Sequence, residues 1–167
     1  MTRILVFGNS GSGKSTLAAL LNRKLGLAHL DLDTLAWLPG KPPQRRPLAD
    51  SENLVREFIR DNANWVIEGC YADLLQLVAS EAEEIAFLNI PVQKCIENAR
   101  ARPFEPHKYS SEAAQNQNLA MLIKWIEEYP DRDDSCSLSA HKKFLNTFQG
   151  RKSVLTSRTQ VNCFKSV

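Results

Sequence analysis

Gly8-Asn9-Ser10-Gly11-Ser12-Gly13-Lys14-Ser15-Thr16 decides the fold of this chain. It fits G-x-x-x-x-G-K-[ST], a loop whose backbone cradles phosphate groups. The context is right on both sides. Ile4 to Phe7 is a short apolar, partly β-branched run, as expected of a buried parallel strand. Leu17, Leu20, Leu21 and Leu25 recur at helical spacing after the loop. Strand, glycine loop and helix follow in the order that phosphate binding requires.

The chemistry runs through the backbone. Gly8, Gly11 and Gly13 admit conformations and close approaches that a side chain would block. Successive N–H groups then form a concave anion site, and the new helix adds its positive dipole end. Lys14 can reach the outer phosphates of a nucleoside triphosphate. The Ser15 hydroxyl can ligate Mg²⁺, which keeps most of its waters and also takes phosphate oxygens. A glycine turn that merely caps a helix would need neither the lysine nor the hydroxyl.

At 167 residues the chain is expected to form one domain with a real core. A net charge of +2, from 21 basic and 19 acidic residues, argues against a nucleic-acid or membrane partner. Cysteines stand at 70, 95, 136 and 163 without a C-x-x-C pair, so reduced thiols and a cytoplasmic setting are expected. No signal peptide is visible, and no apolar stretch approaches the roughly 20 residues that span a bilayer.

Apolar runs alternate with helical patterns, which argues for α/β with a parallel sheet. Strands are expected at 28–31, 65–67, 85–90 and 152–156, with Glu68-Gly69 stopping the third strand. Helices are expected at 48–61, 72–79, 91–100, 111–129 and 140–148. In the first of these, Leu54, Val55, Phe58 and Ile59 should face inward. Pro39 to Pro47 is rich in proline and charge and should be an exposed loop. Residues 102–110 and 130–135 also read as loops.

Taken together, Gly8–Thr16, Leu30-Asp-Leu-Asp-Thr-Leu-Ala-Trp37, Trp65-Val-Ile-Glu-Gly-Cys-Tyr71 and Phe87-Leu-Asn-Ile-Pro-Val-Gln-Lys-Cys95 resemble the small P-loop kinases, such as adenylate, shikimate and gluconate kinases. Within them the chain is similar to bacterial adenylate-kinase-related proteins, some labelled topology modulation proteins. The resemblance covers nearly the whole chain. It implies a three-layer P-loop NTPase sandwich, with a five-stranded parallel sheet of order 2-3-1-4-5, helices on both faces and a helical lid at about 101–136. It also implies ATP and Mg²⁺ as ligands.

Alternation along a strand puts Asp31 and Asp33 on one face, at the sheet edge where open α/β sheets bind ligands. Asp31 could hold a water of the Mg²⁺ shell, and Asp33 could orient or deprotonate an acceptor hydroxyl. Shikimate kinases carry a comparable pair. The alternatives are two solvated acids, or a helix cap at Asp33. Glu68 and Gly69 reach the same edge. There Glu68 could bond the acceptor or a metal water, and Gly69 could let the acceptor approach the backbone. Trp37 and Tyr71 could wall the acceptor pocket or belong to the core.

A basic group is expected on the lid. In related kinases lid arginines close over the phosphates, and Arg100 and Arg102 are the candidates, with His107, Lys108 and Arg132 beyond. The resemblance leads one to expect a further arginine three residues after Cys95, where Asn98 stands instead. Arg45 and Arg46 could grip an anionic acceptor or lie in an ordinary loop. Arg158 could border the base of the nucleotide. His29 and His141 are not assigned to chemistry.

The function expected is transfer of the γ-phosphoryl group of ATP to a small acceptor, a hydroxyl-bearing metabolite or a nucleotide, by a monomer or weak dimer. The competing expectation is a nucleotide-binding regulator or slow ATPase without a small acceptor.

Overall fold

The computed structural model, which describes residues 1–165, has seven short strands and eight α-helices among those residues. The strands are β1 (Arg3–Gly8), β2 (Ala28–Asp31), β3 (Trp37–Leu38), β4 (Gln44–Arg45), β5 (Trp65–Glu68), β6 (Glu84–Leu88) and β7 (Arg151–Leu155). The helices are α1 (Lys14–Leu25), α2 (Asp33–Ala36), α3 (Leu48–Asp61), α4 (Ala72–Leu77), α5 (Val92–Arg100), α6 (Glu112–Glu127), α7 (Leu138–Thr147) and α8 (Arg158–Cys163). None of these helices is long and apolar enough to cross a membrane.

The main sheet is parallel, in the order β2-β5-β1-β6-β7. Counting only its own five strands, this is the expected 2-3-1-4-5. Alternation along β1 divides the core. Leu5 and Phe7 join Trp65, Ile67, Ile85 and Phe87 on one face, covered by α2, α3, α4 and α7. Ile4 and Val6 join Val66, Ala86 and Leu88 on the other, covered by α1, α5, α6 and α8. Strands buried on both faces read as continuous apolar runs, which is why these were visible in the sequence.

Some expectations needed correction. Pro39–Pro47 is not simply a loop. Its flanks pair as an antiparallel ribbon, Trp37 with Arg45 and Leu38 with Gln44. Arg46 pins the ribbon's base through its Nε to the carbonyl of Leu35 at 3.0 Å. Helix α3 buries Ser51, Val55 and Ile59, an i, i+4, i+8 stripe, and Leu54 lies off it and is exposed. Ser51 belongs inside because its hydroxyl donates to the Leu35 carbonyl at 3.1 Å. Glu68 does not stop β5; it is the strand's last residue, pairing with both Val6 and Asp31. Helix α4 ends at Leu77, and a 3₁₀ turn at Ala79–Glu81 completes that connection.

His141 is fully buried among Phe7, Phe87 and Phe144. Its Nε2 lies 2.6 Å from the Cys70 carbonyl and its Nδ1 2.7 Å from the Tyr129 hydroxyl. A carbonyl only accepts, so Nε2 carries the proton and Nδ1 accepts from Tyr129. Burial holds the ring neutral by lowering its pKa to about 4. It is a core histidine that ties α7 to the end of β5.

Candidate active site

The phosphate loop leaves the carboxyl end of β1 and enters α1 with Gly13 as its N-cap, in the left-handed region at φ 97°. Gly11 is required twice over. Its φ is +77°, and a Cβ there would stand 2.4 Å from the carbonyl oxygen of Cys95. Helix α5 is thus packed directly on the loop. Asn98, standing where an arginine was expected, donates its amide to the Gly11 carbonyl at 2.9 Å. Asn9 donates to the Ile126 carbonyl at 3.2 Å, and Lys14 Nζ donates to the Asn9 carbonyl at 2.8 Å. Both asparagines therefore brace the loop against the helices that follow β6.

The loop's own atoms fit an anion. Ser12 is buried, and its hydroxyl has no hydrogen-bond partner among the described residues. The leading N–H groups of α1 lack intrahelical acceptors by geometry. A cavity of about 630 Å³ opens in front of them, lined by Ser10, Gly11, Gly13, Lys14, Ser15 and Thr16.

The residues beside Ser15 fit a divalent cation. Its hydroxyl donates to Oε1 of Glu68 at 2.8 Å. Glu68 is buried and lies across the sheet from Asp31. Burial, then the charges of Glu68 and Asp33, push the Asp31 carboxyl up to about 6. A hard cation relieves such crowding of carboxylates. Among the described residues no cluster of three or more His, Cys, Asp or Glu is arranged to hold a metal alone. Mg²⁺ characteristically takes one or two protein groups and phosphate oxygens for the rest. Asp31 itself does not line the cavity, and its Oδ1 accepts the backbone N–H of Asp33 at 2.8 Å.

Farther along the cavity, three side chains form a relay. Trp37 Nε1 donates to the Tyr71 hydroxyl at 2.9 Å, and that hydroxyl donates to Oδ1 of Asp33 at 2.5 Å. Burial, then the neighbouring Cys70 and Asp33, hold the Tyr71 phenol protonated well above its usual range. Arg45 lies 4.8 Å from the Tyr71 ring centroid and 5.8 Å from that of Trp37, and pairs with Asp73 at 3.1 Å. Gly69 lines the cavity, but the room its missing side chain leaves is taken by Leu32, 2.8 Å from where a Cβ would stand.

From the opposite wall Lys108 reaches in, 3.6 Å from Asp33 and 4.0 Å from Asp31. Burial opposes its charge, but Asp33, Asp31 and Glu105 outweigh this and raise its pKa. Arg102 also lines the cavity, 3.6 Å from Glu105. Arg100 and Arg158 are exposed and lie outside the lining.

The sequence reading missed several lining groups. Glu105, Tyr109 and Trp125 sit on segments with no recognisable motif. Cys70 and Cys136 lie 66 residues apart, and only the fold brings their sulfurs within 3.2 Å. Both are free thiols. The hydrogen bond from Cys70 to Cys136 raises the pKa of the first and lowers that of the second. The charged character of Lys108 was noted in the sequence, but nothing there aimed it at Asp33.

The chain is 27% identical over 143 residues to the uncharacterized protein YqaC of Bacillus subtilis, a match covering 86% of this chain and 79% of that protein. No family model matches it. Among solved structures, deoxyadenosine kinase from M. mycoides with bound dATP aligns at a TM-score of 0.50 and 15% identity, over 96% of each chain. Shikimate kinase from Bacteroides thetaiotaomicron aligns at 0.49 and 20% identity, over 96% of this chain and 92% of that one. Together with the parallel sheet of order 2-3-1-4-5 and the loop at Gly8–Thr16, the first of these structural likenesses shows that the chain has the fold of a small P-loop kinase.

Proposed function

We propose that this protein is a phosphotransferase that moves the γ-phosphoryl group of ATP to a hydroxyl of a small acceptor, as an adenylate-kinase-related enzyme of the cytoplasm. One observation carries the reading. Lys14, on the phosphate loop, and Asp33, fixed by Tyr71, line one cavity.

In this reading the phosphates lie on residues 8–16, with Lys14 drawn from the Asn9 carbonyl to the outer phosphate oxygens. Ser15, Glu68 and Asp31 would hold Mg²⁺, which would supply neutralisation of the phosphate charge. Asp33 orients the acceptor hydroxyl and takes its proton. The acceptor oxygen forms a bond to the γ-phosphorus as the bond from that phosphorus to the bridging oxygen breaks, and ADP leaves. Residues 101–136 act as a lid that excludes water. Arg102, at the cavity wall, spreads its charge over the transferring group. Arg100 and Arg158, exposed and outside the cavity lining, are given no role in this reading.

The experiment is ADP release from ATP–Mg²⁺ with a panel of hydroxyl and nucleotide acceptors and a no-acceptor control, for the wild type and Lys14→Ala. An acceptor-dependent rise that Lys14→Ala abolishes is the expected result. A slow rate indifferent to every acceptor favours an ATPase or nucleotide-dependent regulator.

A further inference from the structure

The charges of the cavity are unevenly distributed between its two ends. At the phosphate end Lys14 donates to a carbonyl and has no carboxylate within ion-pair reach among the described residues. Its charge is free for an anion. At the far end every cation of the wall already has a carboxylate. Arg45 holds Asp73 at 3.1 Å and the Ala36 carbonyl at 3.2 Å. Lys108 stands among Asp33, Asp31 and Glu105. Arg102, 3.6 Å from Glu105 and not hydrogen-bonded to it, serves the transferring phosphoryl group and is not counted at this end. Arg132, just behind, holds Asp134 at 2.9 Å and stacks 3.5 Å from the centroid of Trp125.

A carboxylate or phosphate placed at that end would have to displace Asp73 or Glu105 from a cation and leave the displaced acid without its partner. It would also stand beside Asp33, which must itself be ionised to accept a proton. Like charges brought together in a partly dry site are selected against. The wall offers other things instead. Trp37 is 39% exposed although it lines the cavity. Its indole N–H is committed to Tyr71, so what it presents beside the Arg45 guanidinium is a flat ring face. A hydroxyl acceptor, Asp33, stands at the end of the same relay.

Resting on the phosphotransferase reading above, the geometry points to an acceptor that is an uncharged ring bearing hydroxyl groups, packed against Trp37 with one hydroxyl on Asp33. A nucleoside and a cyclic polyol share that chemistry. A nucleoside monophosphate and a ring carboxylic acid do not.

Matched pairs test this: a nucleoside against its 5′-monophosphate, and a neutral cyclic polyol against shikimate. For each compound two quantities are read: ADP release from ATP–Mg²⁺, and quenching of tryptophan fluorescence in the presence of a non-hydrolysable ATP analogue. The neutral member of one pair should raise ADP release at least about tenfold over its anionic partner, and which pair responds tells nucleoside from polyol. Faster turnover of an anionic member overturns the inference and leaves the phosphotransferase reading standing. Saturable quenching by a neutral compound without turnover supports the inference and overturns phosphoryl transfer. Neither turnover nor quenching with any compound overturns both. Asp73→Asn, which frees Arg45, should lower the neutral-to-anionic ratio of kcat/KM about tenfold. An unchanged ratio removes the charge-balance basis.

Discussion

The Tyr71 hydroxyl donates a 2.5 Å hydrogen bond to Oδ1 of Asp33 across 38 residues of sequence, joining the loop after β5 to the start of α2. It also accepts from Trp37. One Asp33 oxygen is therefore fixed and the other faces Lys108 at 3.6 Å.

Tyr71→Phe keeps the ring and removes the bond. Asp33 then loses its orientation, and kcat should fall by about ten- to a hundredfold, the scale of one hydrogen bond to a charged group. ATP affinity, measured by calorimetry, should be unchanged because the Tyr71 hydroxyl bonds Trp37 and Asp33 and not the phosphate loop. A loss of ATP affinity equal to the loss of rate would mean that Tyr71 supports the fold of the site as a whole.

Arg102 and Arg100 were both candidates in the sequence, with Arg102 favoured, two residues apart where α5 ends. The fold separates them, since only Arg102 lines the cavity. Arg102→Ala should lower kcat by about a hundredfold or more with little change in ATP affinity. Arg100→Ala should stay within about twofold of the wild type, as expected of an exposed residue. The reverse ranking in steady-state kinetics would require a placement of residues 101–136 other than the one described.

The residues of the phosphate loop were legible because that chemistry needs them contiguous in sequence. Strands β1, β5 and β6 were legible because burial on both faces writes itself as an apolar run. Asp33, Trp37 and Tyr71 could be named as candidates, but the relay among them is a long-range relation, and nothing in residues 33–37 announces residue 71. The cavity wall formed by residues 102–109 was least legible. Glu105, Lys108 and Tyr109 lie in an irregular, proline-containing loop with no periodicity, and their placement depends on packing of α6 against α5. The ribbon around Pro39–Pro47 was missed for a related reason: two-residue strands have no detectable alternation.

Glu68 offers a test of the proposed Mg²⁺ role that leaves the phosphate loop intact. Its Oε1 accepts from Ser15 at 2.8 Å, and Glu68→Gln keeps the shape while removing the charge. The Mg²⁺ concentration that gives half-maximal turnover should rise by about tenfold. ATP binding measured without metal should be equal to the wild type or slightly tighter, because a negative charge near the phosphates has gone. An unchanged Mg²⁺ requirement would assign Glu68 to the sheet rather than to the ion.

His141 makes the fold sensitive to mild acid. Its pKa is about 4 in the folded protein against an ordinary 6.5. Between those values the unfolded chain binds a proton that the folded chain does not, so stability falls as pH drops through that window. The contribution is whole above pH 6.5 and lost below about pH 4, a span of about 3 kcal/mol. Asp31 works in the opposite direction. Its folded pKa is raised from 3.8 to about 6, so acid favours the folded state over that interval. The histidine's share is isolated by difference. Urea denaturation of the wild type and of His141→Gln, which retains an amide to bond Cys70 and Tyr129, should be compared at pH 7 and 4.5. The wild type should lose about 2–3 kcal/mol more than the variant on acidification. Equal losses would show that the ring is protonated in the folded state, and that the Tyr129 hydroxyl does not donate to Nδ1.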